Sequence, residues 1–406
     1  MRAVDTIDQP SAVREIEICS DPIGSPRRNT VNVDAGSATV GAGMICCADA
    51  GVGDAIAATA HVARIQWAQR MPQHNITVPE ASSAYAAARA RSAAIDRGDR
   101  GRIVVSGADR ASYLQGLLTN DITALKAGEG CYAAYLTAQG RMIADLHVYE
   151  LGDVILLTMH GDVKDAVLAK LDQFIFSEDV QLGDVTASFA ETAVVGPEAA
   201  AVVASLVDGA SEAALRAMPL HGNTRASWQG GGAIVTRIDD AGPAGFDVFV
   251  ERARANAFVD SLTARGMPML DRQSSEVLRI EAGVPEFHAD MDEETIPLEA
   301  GIEGRAISLT KGCYVGQEVI IRVLHRGHGR VARRLVGLTV DSDRVPGRGA
   351  LVKTEDREVG RVTSAAWSPA LKKPIALGYV HRDFVEAGTV LTADGARAVV
   401  TALPFV

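Results

Sequence analysis

Aromatic residues are scarce in this 406-residue chain, nineteen in all, which is a thin supply for a surface that stacks successive bases. Basic charge is short as well. Forty Lys and Arg stand against 51 Asp and Glu for a net charge of −11, so no overall field draws nucleic acid or anionic lipid. Nowhere do 18 apolar residues follow one another, and Asp5 and Asp8 occupy the start without a basic segment leading into an apolar run. Neither a membrane span nor a secretion signal is therefore expected, and the cytoplasm is the expected location. The five cysteines (Cys19, Cys46, Cys47, Cys131 and Cys313) are scattered and lack CxxC spacing, which fits a reducing compartment rather than a disulfide framework. GxGxxG and P-loop patterns are missing too, so a nucleotide phosphate has no evident cradle.

What is present reads as globular: 47% apolar and 22% charged residues, with length for two or three domains at about 150 residues each. Residues 1–77 show no sustained period and are expected to be a poorly ordered extension. A metal or redox role for the adjacent Cys46 and Cys47 has no histidine cluster to support it. Beyond this segment, a strand, a small polar turn and a helix recur four times. Arg102–Ser106 precedes Leu114, Leu117 and Leu118; Val154–Thr158 precedes Val163, Val167, Leu168, Leu171 and Phe174; Thr192–Val195 precedes Val202, Val203 and Leu206; Phe246–Val250 precedes Phe258, Val259 and Leu262. These units predict α+β sheets with helices on one face. A further helix is expected over Ser275–Ala282. After Arg333 the pattern is all strand, predicting a small β-barrel or sandwich.

The sharpest local motif is Lys311-Gly312-Cys313-Tyr314-Val315-Gly316-Gln317-Glu318. Its glycines let backbone bend toward a ligand, and Lys311 with neighbouring arginines would favour a thiolate at Cys313. Alternatively Cys313 is a small buried hydrophobe. Residues 322–334 hold five arginines, two histidines and no acid, which implies a partner bearing carboxylates or phosphates, or else a solvated basic loop. His325 and His328 among these cations make a poor metal site, and no metal is expected there. In the Ser275–Ala282 helix, Arg279 and Glu281 stand about 200° apart around the axis and cannot serve one partner. Glu281 borders the expected core, where it could accept paired N–H donors from a heterocycle or form a salt bridge.

The octapeptide, with Arg322 and Arg326-Gly327, resembles the hallmark of YgfZ-type folate-binding proteins, relatives of the glycine cleavage T-protein, the aminomethyltransferase. The resemblance spans roughly residues 80–406. It runs through Tyr113–Asp121, Gln139-Gly140-Arg141, Leu278–Gly283, Asp292–Gly301 and Gly360–Ser364.

This resemblance implies an α+β, T-protein-like, three-lobed folate-binding fold around a central cavity, with a C-terminal β-barrel or sandwich. Residues 78–328 would form a bipartite folate-binding region and residues 329–406 the β domain. It further implies tetrahydrofolate as cofactor and iron–sulfur proteins or their assembly factors as partners, including cluster enzymes that modify tRNA. Direct nucleic-acid or membrane binding is not expected. Carried over by position, Cys313 and Asp145 are the catalytic candidates, and Glu281, Arg279, Lys311, Tyr314, Gln317 and Arg322 the cofactor-binding ones. T-proteins carry two adjacent aspartates where this chain reads Gly140-Arg141-Met142-Ile143-Ala144-Asp145-Leu146, so one acid is missing. The expected role is a folate-binding accessory factor for iron–sulfur proteins. The alternatives are a tetrahydrofolate-dependent aminomethyltransferase or demethylase, and a non-catalytic scaffold.

Overall fold

The computed structural model describes residues 82–406 apart from His328 and Asp356, so the expectations for residues 1–77, Cys46 and Cys47 among them, lie outside the described residues. In chain order, α1 (Ser83–Ala90) and β1 (Ala93–Asp96) precede β2 (Arg100–Ser106) and α2 (Arg110–Leu117). Next come β3 (Gly130–Leu136), β4 (Met142–Glu150), β5 (Ile155–His160) and α3 (Gly161–Asp172). Then follow β6 (Gln181–Asp184), β7 (Phe189–Val195), α4 (Ala199–Leu206), α5 (Glu212–Ala217), β8 (Asn223–Trp228), β9 (Gly231–Ile238) and β10 (Gly245–Glu251). Five helices close this region: α6 (Ala255–Ala264), α7 (Arg272–Glu281), α8 (Pro297–Ala300), α9 (Glu303–Ala306) and α10 (Gln317–His325). The last six strands are β11 (Arg333–Asp341), β12 (Leu351–Thr354), β13 (Arg357–Ser368), β14 (Lys373–His381), β15 (Val390–Ala393) and β16 (Ala396–Thr401).

All four strand-turn-helix units form, and each helix buries most of its three-to-four apolar stripe against a sheet; the exception is Phe174, which lies beyond the end of α3 at Asp172 and is exposed. Val163, Val167 and Leu171 of α3 join Leu114 and Leu117 of α2 over the order β3-β4-β5-β2-β6. Phe258 and Leu262 of α6 join Ala199 and Val203 of α4 over β1-β7-β10-β9-β8. Each such Val, Leu or Phe contributes roughly 1.5–3 kcal/mol when fully buried. α7 starts three residues before its expected Ser275, because Asp271 caps it by accepting the Ser274 N–H at 2.6 Å. The C-terminal strands close into a six-stranded barrel, β11-β14-β13-β12-β15-β16, which excludes the open sandwich. Leu335, Ile375, Leu377 and Tyr379 on the barrel pack with Val277, Leu278 and Ile280 of α7 and with Val195 and Ile238 of the second sheet.

Strand alternation decides what the two five-stranded sheets show to each other. In β2, Ile103 and Val105 join the core under α2 and α3, leaving Arg100, Arg102 and Val104 for the opposite face. β4 sends Ala144, Leu146 and Val148 into that core and turns Asp145, His147 and Tyr149 the other way. β10 packs Phe246, Val248 and Val250 under its helices and turns Asp247 and Phe249 toward the first sheet. Tyr149, Leu156, Ile234 and Phe249 make a small apolar contact between the sheets. Beside that contact the facing residues are charged.

Candidate functional site

The charged part of the inter-sheet gap is built on β2, β3, β4, β7 and β10, on the turns after β1 and β9, and on α9. Arg97, in the turn between β1 and β2, grips Asp240 with two N–H bonds of 2.8 and 3.3 Å, and its Nε lies 3.5 Å from Asp247 Oδ1. Arg100 on β2 reaches Asp240 Oδ2 at 3.4 Å and Glu191 Oε1 on β7 at 3.5 Å, and donates to His147 Nδ1 at 3.2 Å. An arginine has only donors, so Nδ1 of His147 accepts and the proton sits on Nε2. Burial holds His147 well below its ordinary pKa, with Arg100 adding to the effect, so this imidazole is neutral. Deeper in, Arg102 and Glu191 form a fully buried pair at 2.9 Å.

Tyr132 on β3 donates its hydroxyl to Asp145 Oδ2 at 2.8 Å, and the Arg305 guanidinium from α9 lies 5.2 Å above the Tyr132 ring. Protein surrounds Asp145 closely, yet its side chain keeps partial access to solvent, the combination expected of a group on the wall of a cleft. Burial raises its pKa, partly offset by the Tyr132 hydrogen bond and the charge of Arg100. Asp240 and Asp247 diverge. Burial opposes both charges, but Arg97 and Arg100 outweigh it at Asp240 and hold that carboxyl below the carboxylate range. Asp247, pressed by Glu191 and Asp240 as well as by burial, is raised well above it. Two acids driven apart in this way, beside a third that is solvent-reachable, can divide donor and acceptor roles.

The strand explains the single acid of the Ala144-Asp145 pair. Ala144 faces the fully apolar core and Asp145 the opposite face, so the acid that remains is the one turned toward the cleft.

The octapeptide is tied to this cleft through Asn120. The Lys311 ammonium donates to the carbonyls of Gln115, Leu118 and Asn120 at 2.7, 2.6 and 2.8 Å. The Asn120 side chain in turn donates to the carbonyls of Tyr132 and Arg305 at 2.8 and 3.1 Å. Burial pushes Lys311 down to about 8, and its three N–H bonds go to backbone, which corrects the expectation that it serves Cys313. Tyr314 is core, 7% exposed, its phenol pushed up to about 12 by burial. Cys313 between them is a free, exposed thiol, not a buried hydrophobe. Gly316 takes φ 84°, and a Cβ there would come within 2.4 Å of the Thr137 carbonyl, which is why the motif and the Gly140 turn interlock only as glycines. Gln317 and Arg322 lie on α10, which ends at His325 and so holds only the start of the basic run, and make no side-chain hydrogen bond or ion pair among the described residues.

Arg279 and Glu281 do part company, as their angular separation requires. Arg279 binds Asp290 at 2.7 Å, Glu276 at 2.5 Å and Ser364 at 2.9 Å, locking the connection after α7 to the bulged part of β13. Glu281 is wholly buried, accepting from Tyr85 at 2.8 and 2.9 Å, Ser368 at 2.5 Å and Arg89 at 3.1 Å. The salt-bridge arrangement is the one observed, and these bonds join α1, α7 and the barrel. The structure thus brings Asp145 together with Tyr132, Arg100, His147, Asp240, Asp247 and Arg305, which sequence reasoning did not name. Their signal was a charged residue inside otherwise apolar alternating strands, as in Phe246-Asp247-Val248-Phe249.

A separate cavity of about 500 Å³ is lined by Arg89, Gly196, Arg216, Arg237 and Phe246 among others. It meets the helix-covered face of β10, and among the described residues no Asp, Glu, His, Cys or Tyr side chain lines it.

Residues 54–311 match the GCVT N-terminal domain, a match that begins inside the 1–77 segment, and residues 333–406 match the glycine cleavage T-protein C-terminal barrel domain. The chain belongs to the glycine cleavage T-protein family. Relatives in this family include an aminomethyltransferase of Rubrobacter xylanophilus, 31% identical over 72% of this chain and 77% of that one. Another is an aminomethyltransferase of Streptomyces coelicolor, 30% identical over 75% and 82%. The glycine cleavage system aminomethyltransferase T of Bartonella henselae has the same fold, with a TM-score of 0.70 over 80% of this chain and 88% of that one at 24% identity. The T-protein-like α+β fold with its closed barrel is therefore the architecture of this family member. No helix among the described residues is long and apolar enough to cross a membrane.

Proposed function

We propose that the chain binds tetrahydrofolate in the inter-sheet cleft and catalyses one-carbon transfer of the aminomethyltransferase type, with Asp145 as the proton-handling group. The observation that carries this reading is the solvent-reachable Asp145, raised by burial and held at 2.8 Å by Tyr132, opposite a wall of carboxylates. A reduced pterin presents paired N–H donors along one edge, and when bound supplies amine nitrogens that carry a one-carbon unit. The cleft fits such a group. Glu191 Oε1 and Asp247 Oδ1 are held only by 3.5 Å ion pairs, and neither has a hydrogen bond among the described residues.

In this arrangement Asp247 and Glu191 would face the donor edge, and Arg97 and Arg100 orient those carboxylates. Tyr132 fixes the Asp145 rotamer through Oδ2, leaving Oδ1 without a side-chain partner and able to hold or return a proton at an amine nitrogen. Arg305, 38% exposed at the rim, would meet an anionic tail. The relatives named as aminomethyltransferases support this reading over a purely accessory one. Its test is formation of methylene-tetrahydrofolate from a methylamine-type donor. Asp145→Asn should lower kcat by at least ~100-fold, the usual range for a lost acid–base group. An undiminished rate rejects the assignment.

A second reading is favoured by one observation, the exposed Cys313 in a motif whose Lys311, Tyr314 and Gly316 are structurally engaged. There the chain is a YgfZ-type accessory factor for iron–sulfur proteins in the cytoplasm, and the thiol performs the function. Activity of cluster-containing enzymes in cells carrying Cys313→Ala separates the two: loss with transfer intact favours the accessory role.

A further inference from the structure

His160 is the last residue of β5 and the N-cap of α3, and Asp162 lies in the first turn of that helix. The connection between α7 and α8, distant in sequence, lays His288 against this corner. The two imidazoles meet edge-on with ring centroids 5.6 Å apart, at an interplanar angle of 72°. His160 Nδ1 lies 3.8 Å from Asp162 Oδ2, and His288 Nε2 lies 3.5 Å from Glu293 Oε1. One donor atom each from His160, Asp162 and His288 falls within 4.8 Å of the other two.

We propose that His160, Asp162 and His288, with Glu293 as the adjoining carboxylate, form a binding site for a divalent transition-metal ion of the zinc class. Two imidazoles with one or two carboxylates are the mixed N/O set such an ion takes, whereas Mg²⁺ and Ca²⁺ prefer oxygen alone. The charge is suited to it. Asp162 and Glu293 offset two positive charges, and Asp99 balances Arg100, the cation facing His160. Bonds of about 2.0–2.2 Å put tetrahedral ligand atoms about 3.4 Å apart, so the His160–Asp162 pair must close by about half an ångström. Asp162 is 55% exposed and can swing that far. The His160 Nδ1 lone pair now accepts only a long 3.3 Å bond from the Asp162 N–H, which the metal would replace.

The His288 side is already braced. Arg348 donates to the carbonyls of His288 and Ala289 at 2.6 and 2.8 Å, and the His288 N–H donates to the Met291 carbonyl at 2.6 Å. A bound ion would therefore clamp this connection onto the β5–α3 corner. The clamp uses none of the residues that would hold folate.

The full chain, stripped with EDTA, should bind one equivalent of Zn²⁺ by calorimetry and give d–d absorption with Co²⁺. His160→Asn keeps a capping side chain and His288→Asn tolerates the left-handed backbone at φ 66°, so both variants are compatible with the fold. Each should weaken Zn²⁺ binding at least tenfold and abolish the Zn²⁺-induced rise in Tm. If a variant fails to fold, peptide mapping of the unsubstituted chain decides: Zn²⁺ should shield His160 and His288 from diethyl pyrocarbonate. Equal Zn²⁺ affinity in the folded variants, or equal modification of both histidines with and without Zn²⁺, overturns the proposal.

Discussion

Tyr132 stands directly opposite His147 in the β3–β4 ladder, yet its hydroxyl reaches past that partner to Asp145, 2.8 Å away. The diagonal contact joins two residues on one face of adjacent strands. It bears on both the rotamer and the proton affinity of a cleft acid that solvent can reach.

The hydrogen bond stabilises ionised Asp145, so Tyr132→Phe should raise the pKa of a group already elevated by burial. A hydrogen bond to a charged group contributes about 1.5–3 kcal/mol, or roughly one to two pH units. The acid limb of the kcat/KM profile for transfer should move to higher pH by that amount. A profile that stays in place would remove Tyr132 from control of this acid.

Cys313 is exposed, whereas burial pushes the half-buried Cys131 up to about 12. Iodoacetamide applied to the folded chain at pH 8, followed by peptide mapping, should label Cys313 and spare Cys131. Cys313→Ser should leave stability within about 0.5 kcal/mol, as for a surface substitution. Thermal unfolding of the variant checks this.

Glu281→Ala leaves the buried hydroxyls of Tyr85 and Ser368 without their acceptor. Each orphaned group costs about 1–3 kcal/mol, and the Arg89 contact adds little because that side chain is 35% exposed and screened. Denaturant unfolding should show a loss of several kcal/mol, with tetrahydrofolate affinity of the folded protein unchanged. An affinity loss without destabilisation would return Glu281 to the ligand.

Gly316→Ala should destabilise by about 1–3 kcal/mol, since φ is 84° and the new Cβ would press on the Thr137 carbonyl. Gly312→Ala, where nothing lies within 4 Å of an added Cβ, serves as the control and should leave Tm nearly unchanged.

Helix positions were legible because burial follows period: the Val163, Val167 and Leu171 spacing is itself the core contact. The barrel was legible from its turns, but closure depends on β11 pairing with both β14 and β16, a long-range fact that alternation in single strands does not carry. The cleft was harder to read. Arg97, Arg100, Tyr132, Asp145 and Asp240 come from separate elements and meet only when two sheets face each other, so no local motif announces them. The octapeptide announced itself by its glycines and cysteine, yet much of its patterning serves to pin the 115–120 segment and the Gly140 turn. Arg279 and Glu281 show the same limit. Their helix was expected, but the partners that absorb their charges, Asp290 and Arg89, lie on other elements.

Tetrahydrofolate is expected in the cleft walled by Asp145 and Asp247. Calorimetric titration of the full chain tests this placement most directly when Asp145→Ala is compared with Arg237→Ala, which alters the separate 500 Å³ cavity. One-site binding is expected, weakened at least tenfold by Asp145→Ala and unaltered by Arg237→Ala. Binding that survives the first substitution and fails with the second would contradict that placement.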